Sequence, residues 1–471
     1  MRTGLGSVLL SCVALAGSAQ VGCKSSSSVE VDAAGAAARL DAPAIVLRGF
    51  RLIDGSGGPP VEDAFLEIQG EHVRDVGPAD RASARPSVRV IDLGGKTIAP
   101  GLVSDHSHLG VTDGTSASVG NETRMNILRQ LAQYEAYGVT TVVSLGLNGP
   151  VLAELEPALH RGALQGADAF SADRGIGVPD GAPPVDAGTP ALYRVDTPEE
   201  AVVAVRETAM RHPDLLKIWV DDFHGSVPRK MTPEIYKAAI AEAHRLGLRV
   251  AAHVYYMDDA RTLVEDGVDI LAHGIRDRVV DDATVALLRA KRTWYVPTLG
   301  LDESFYVFAE APSWTHEALF RHALQPALAT EFDDPAWRAS VLGNAKKLKV
   351  DKDSLSINLA NLKKLHDGGA LIGFGTDSGA TPLRIAGFAE HRELTLMVQA
   401  GLTPLEAIHA ATQDAALALG LKDRGLLSSG MLADFVVIDG DPSKNIDDFA
   451  HIAEVWHRGR KVAGAIETHQ P

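Results

Sequence analysis

Six side chains in this sequence could do chemistry together. His106 and His108 stand one residue apart in "PGLVSDHSHLG". Lys217 follows in "LLKIWVDD", His253 in "LRVAAHVY", His273 in "DGVDILAHG" and Asp377 in "GFGTDSG". Imidazoles and carboxylates are ligands for divalent ions, zinc above all. The His-x-His pair alone says little, because 17 histidines among 471 residues give roughly 0.6 such pairs by chance. Its weight comes from order. Each of the six sits in or at the end of an apolar run that reads as a strand. Residues i and i+2 of a strand face the same way, so His106 and His108 point together.

Lys217 poses the harder question. It lies inside an apolar run, with Leu215 and Trp219 on its own face, where a lone ammonium is costly. Beside two dications an ammonium is worse still. A carbamate formed from CO2 on the neutral amine removes the conflict, being an anion with two oxygens able to bridge two ions. With two dications, four neutral imidazoles, the carbamate, Asp377 and a hydroxide, a single net positive charge remains.

The elements that must position these groups are legible as a pattern. From residue 98 to about 424, apolar strands alternate with amphipathic helices. The strands read as "TIAPGLVSDHSH", "VTTVVSLG", "GADAFSAD", "LLKIWV", "LRVAAHVY", "DGVDILAHG", "TWYVPTLG" and "ALIGFGTD". Between them lie helices such as "TPEIYKAAIAEAHRLG", with Thr232 as N-cap, Pro233 in the first turn and Gly247 at the C-terminal end. Eight such units predict an α/β fold, a (β/α)8 TIM-like barrel, in which side chains from the C-terminal strand ends converge on one mouth. The span exceeds the ~250 residues typical of that fold, and the excess falls at 299–350. That insertion carries Phe305, Tyr306, Phe308, Trp314 and Trp337. It reads either as a lid over the mouth or as a helical decoration packing its own aromatics.

Residues 44–97 and 425–465 read as short strands and turns, including a hairpin around Gly70 in "AFLEIQGEHVRDVG". They are expected to meet as a small β-sandwich domain. The first 23 residues have an early Arg2, an apolar stretch and small residues before Cys23, the pattern of an export signal. Ending on Gly22-Cys23, they resemble a bacterial lipoprotein signal, in which the cysteine is lipidated. Gln20 departs from that pattern, three positions before the cysteine, where Leu is usual; a plain cleaved signal is the alternative. Residues 24–43 read as a flexible tether. The expectation is an exported protein in the periplasm or outer envelope, touching membrane only through an N-terminal lipid.

The two cysteines, Cys12 and Cys23, both fall in the leader, so no thiol or disulfide serves the folded part. A formal charge of −16 argues against nucleic acid and against anionic lipid as partners. A small-molecule substrate remains, and homo-oligomerisation stays open.

Taken together, "APGLVSDHSH", "GLTPLEAIHAATQDAALALGL" and "GMLADFVVID" resemble the opening and closing segments of the amidohydrolase superfamily. The likeness runs over about residues 44–465 and is nearest to imidazolonepropionase-like members and to the dinuclear dipeptidases and prolidases. It implies that His106, His108 and Asp377 hold one metal, that His253 and His273 hold a second, and that carboxylated Lys217 bridges two zinc ions. It implies hydrolysis of a C–N bond (an amide, an N-acyl amino acid or a dipeptide) by a metal-bridging hydroxide, with Asp377 moving the proton. Two residues are offered as substrate contacts. Tyr255 shares the face of His253 and could reach a polarised carbonyl oxygen. Arg276 could bind a carboxylate, unless Asp277 or Asp281 takes it in an ion pair. His244 and His366, on helices, are expected to be solvated. The competing readings are a mononuclear deaminase or imidazolonepropionase-type enzyme, a lactone or phosphoester hydrolase, and a secreted binding protein on an inactive barrel.

Overall fold

All eight expected barrel strands form in the computed structural model, which describes residues 44–81, 88–185 and 191–465. The leader, the tether and Cys23 lie outside the described residues. The barrel strands are β1 (Leu102–Ser107), β2 (Val139–Ser144), β3 (Asp168–Ser171), β4 (Leu215–Trp219), β5 (Arg249–His253), β6 (Ile270–Leu271), β7 (Trp294–Tyr295) and β8 (Leu371–Ile372). β1, β2 and β3 pair in parallel, and β4 to β8 pair in parallel in sequence order. Irregular bonds join the two arcs. Asp214 N donates to Ser171 O at 3.0 Å between β3 and β4, while Asp105 N donates to Phe374 O at 2.6 Å and His108 N to Ser378 O at 2.7 Å between β8 and β1. Strands covered on both faces read as continuous apolar runs, and every residue of β1 to β4 is buried.

The connecting helices obey their local signals. The segment after β4 forms Pro233–Arg245 with Thr232 at the N-cap, and Gly247 beyond its end takes a left-handed φ of 78° that glycine adopts without steric cost. His244 on this helix is 41% exposed and meets Asp269 at 2.8 Å. His366 is 28% exposed.

Strands from both ends of the chain share one eight-stranded sheet. Thr97–Pro100 lies between them, parallel to Ile45–Leu52 and antiparallel to Phe435–Ile438. The hairpin around Gly70 pairs Val61–Gln69 with His72–Pro78. Leu47, Phe50, Leu66, Ile98, Phe435 and Trp456 form the core of this sheet.

The insertion after β7 is a run of short helices that leads into the long helix Ala345–Asp367. Its aromatics pack on one another: Phe308 stacks on Phe332 at 4.7 Å and on Phe320 at 5.3 Å, and Trp314 meets Phe388 at 5.4 Å. Through Phe388 of the helix Phe388–Gln399 that follows β8, these aromatics join the apolar core of the barrel. It also brings Asp302 and Phe305 towards the barrel mouth.

Candidate metal centre

The ends of β1, β4, β5, β6 and β8 bring the six predicted side chains into one buried cluster. His106 Nε2 and His108 Nε2 lie 3.2 and 3.1 Å from the same oxygen, Asp377 Oδ1. The rings of His106 and His273 are 4.4 Å apart, as are those of His253 and His273. Ligand atoms of His106, His273 and Asp377 fall within 4.8 Å of one another. Lys217 is 0% exposed, with Nζ over the ring of Trp219 at 5.4 Å from its centroid.

Glycines make this convergence sterically possible. A Cβ on Gly375 would stand 2.6 Å from His106 N, and one on Gly379 would stand 2.0 Å from His108 O. The segment after β8 can thus press against β1, and it carries Asp377 at the tip in a left-handed conformation, φ 58°. For a residue with a Cβ that conformation costs about 1–2 kcal/mol, so the surroundings must hold it.

The chemistry of the cluster suits a divalent ion. Lys217 Nζ is buried without a hydrogen-bond partner among the described residues, although buried polar groups are normally bonded, while His106 Nε2 and Asp221 Oδ2 have only Asp377 Oδ1 and His253 Nε2, each at 3.2 Å. Three imidazoles are oriented through Nδ1, by Ala272 O for His106, Gly146 O for His108 at 3.2 Å and Thr298 Oγ1 for His273 at 3.0 Å. This leaves Nε2 of each for a ligand role, as in metal-binding histidines. His253 instead meets Asp221 through Nε2 at 3.2 Å, leaving Nδ1. Burial, with Lys217 nearby, brings His106 down to about 3. Burial also lowers His253 and His273, and the neutral imidazole is the form that binds metal. Burial lowers the Lys217 ammonium to about 7, within reach of the neutral amine. Burial alone would raise Asp377, but Arg384 and His106 outweigh it and hold the carboxylate well below its usual range.

The family model of the amidohydrolases matches residues 97–462. The chain belongs to the amidohydrolase family. It is 27% identical over 392 residues to imidazolonepropionase of Deinococcus radiodurans, covering 82% of this chain and 88% of that protein. To imidazolonepropionase of Streptomyces avermitilis it is 26% identical over 416 residues, covering 85% and 87%. Among solved structures, a Xaa-Pro dipeptidase with bound methionine superposes with a TM-score of 0.70 at 22% identity, covering 89% of this chain and 99% of that one. Molinate hydrolase superposes at 0.69 and 23%, covering 89% and 94%. This amidohydrolase is thus a hydrolase acting on C–N bonds, built on a metal-binding barrel with an added β domain.

Around the mouth of the amidohydrolase, the two expected substrate contacts have different surroundings. Tyr255 OH lies 3.3 Å from Ser354 Oγ on the long helix of the insertion, and its ring lies against His224 with centroids 3.6 Å apart. Arg276 is 2% exposed. Its expected ion-pair partners are both engaged elsewhere: Asp277 accepts from Met257 N at 2.9 Å and Asp281 caps Thr284 N at 2.7 Å. Its carboxylate partner is Asp302 of the insertion, with Nη1 3.4 Å from each oxygen. The Arg276 guanidinium also lies 5.2 Å from the centroid of the Tyr255 ring.

Three neighbours were not among the predicted residues. Asp221 follows Lys217 by four, so strand alternation puts both on one face, and that signal was available. Arg384, which donates to Asp377 Oδ2, lies in an aperiodic loop. Asp302 lies in the insertion. Neither carries a local pattern linking it to the strand ends.

Proposed function

We propose that this amidohydrolase holds two zinc ions and hydrolyses an amide C–N bond in a small substrate bearing a carboxylate. The observation that carries the dinuclear reading is Lys217, fully buried beside His106, His253 and His273 and without a hydrogen-bond partner among the described residues. His106, His108 and Asp377 would hold one ion and His253 and His273 the other, with a carbamate on Lys217 available as an anionic ligand to both. The neutral lysine amine adds to CO2, forming the N–C bond and releasing a proton. Bound ions of this kind activate water and polarise a carbonyl.

The chain's own residues do the rest. Arg384 keeps Asp377 ionised, so the carboxylate can accept the proton released as water adds to the carbonyl carbon. Asp377 then returns that proton to the leaving nitrogen as the C–N bond breaks. Arg276 pairs with Asp302 and Arg384 with Asp377 through Nη1, but the buried Nε atoms of both lack hydrogen-bond partners among the described residues. This surplus of guanidinium donors supports a substrate with a carboxylate, received at Arg276, with Tyr255 beside it. The Cys23-ending leader supports export and anchoring through that cysteine.

The test is metal content by elemental analysis, then turnover of matched N-acetyl amino acids and their carboxamides. Two zinc ions per chain and a preference for the free acids are expected. Arg276→Met should raise KM for the acids about tenfold to a hundredfold, the worth of a charged hydrogen bond of about 1.5–3 kcal/mol. One ion per chain would move the enzyme to the mononuclear branch. Turnover of lactones or phosphoesters alone would remove the amide assignment.

A further inference from the structure

The helix Phe388–Gln399 carries two glutamates, Glu390 and Glu393, both 0% exposed and outside the ligand set. Glu390 Oε1 accepts from Ser104 Oγ at 3.1 Å, Thr376 Oγ1 at 2.7 Å and Ser378 Oγ at 2.8 Å. Thr376 and Ser378 flank Asp377, and Ser104 precedes His106 by two residues on β1. Its other oxygen accepts from Gly387 N at 2.9 Å. One turn on, Glu393 accepts from Leu299 N at 2.7 Å and Gly300 N at 2.8 Å. These amides follow Thr298, which is itself left-handed at φ 46° and whose hydroxyl lies 3.0 Å from His273 Nδ1.

Two carboxylates on one face of one helix, both out of water, are an expensive way to make a core. A carboxylate out of water is costly unless it is hydrogen-bonded, and each of these accepts from donors that lie beside a proposed ligand or its support. The two glutamates meet two of the places beside the site where residues with side chains are bent into left-handed backbone, Asp377 and Thr298; Phe223, stacked on His253, is another. Such strain persists only where the surroundings over-determine it.

We infer that this helix is a positioning bracket for the metal centre, Glu390 fixing Asp377 and Glu393 fixing His273 through Thr298. The inference rests on the dinuclear reading above. Neither glutamate touches the ions or the substrate; each acts through the backbone or hydroxyls around a ligand. The bracket assigns one glutamate to each proposed zinc site, and the i,i+3 spacing ties the two sites to one rigid element. Glutamine keeps the volume of each side chain but puts an NH2 donor where an oxygen must accept.

The experiment is zinc affinity of the full chain by competition with a chromophoric chelator, alongside Tm of the metal-free protein. Glu390→Gln should weaken one zinc about tenfold to a hundredfold and Glu393→Gln the other, the usual cost of losing a ligand's supporting hydrogen bonds. Double-mutant cycles assign the sites. Glu393→Gln should add nothing to the loss already caused by His273→Ala, whereas Glu390→Gln should add its own loss in full. If a glutamine variant does not fold, Thr376→Val, Ser378→Ala and Glu393→Asp replace it, with the same affinity loss expected. Unchanged zinc affinity with a lowered Tm would make the glutamates structural braces and overturn the bracket. Wild-type protein that binds no zinc would instead remove the dinuclear reading itself.

Discussion

At the scale of single residues, the chemistry turns on Lys217. A surface lysine would be solvated, but this one is enclosed by the barrel with its amine unpartnered among the described residues. Lys217→Ala should therefore lower turnover by at least about a hundredfold and reduce bound zinc towards one per chain, read by elemental analysis, because the bridge is lost. Full activity in that variant would sink the dinuclear proposal. Asp377 is the other pivotal residue. One oxygen faces His106 and His108 and the other is taken by Arg384, so its position and its charge are set by different neighbours.

At the scale of elements, the strands and their order were legible because barrel strands buried on both faces leave apolar runs bounded by turn residues. The glycines of "GFGTDSG" show how the last strand closes on the first. Gly375→Ala would place a methyl against His106 N, a backbone atom that cannot yield cheaply. Overpacking of this kind costs about 1–3 kcal/mol, and it acts on the peptide that carries a proposed ligand. Thermal unfolding should show a lower Tm, and zinc affinity should fall with it. An unchanged Tm and zinc affinity would mean that β1 and β8 are not held in this register. The insertion was less legible. Its composition allowed both a lid and a self-packed decoration, and only the structure shows Phe308, Phe320 and Phe332 stacked on one another within the core they share with the barrel. That packing also delivers Asp302 to Arg276, a pairing between residues 26 positions apart that no local pattern announces.

At the scale of the whole molecule, a buried charge network joins the terminal sheet to the barrel. His457 on the sheet meets Glu135 of the helix Arg124–Ala136 at 2.7 Å. Asp168 of β3 accepts from Arg424 at 2.9 Å and Arg458 at 2.6 Å. Burial opposes the charge on His457, but Asp434, Asp168 and Glu135 prevail and push it up to about 10. A histidine raised in the folded state above its unfolded value near 6.5 contributes stability that is full below about pH 6.5. That contribution is lost as pH rises towards 10. Tm should thus fall across this window in the wild type, and His457→Gln should flatten that part of the profile while lowering Tm at neutral pH. A wild-type slope retained in the variant would assign the pH dependence to other groups.

The sequence by itself determined the strand order, the pairing of His106 with His108, the oddity of Lys217 and the family to which these segments belong. Those features are written in short-range periodicity and in residue type, which the chain carries locally. Only the tertiary structure decided which polar groups meet: Arg384 with Asp377, Arg276 with Asp302, Glu390 and Glu393 with the segments around Asp377 and Thr298, His457 with Glu135. Such contacts depend on where loops and helices distant in sequence come to rest, and burial makes each pairing matter because an unpaired charge out of water is costly.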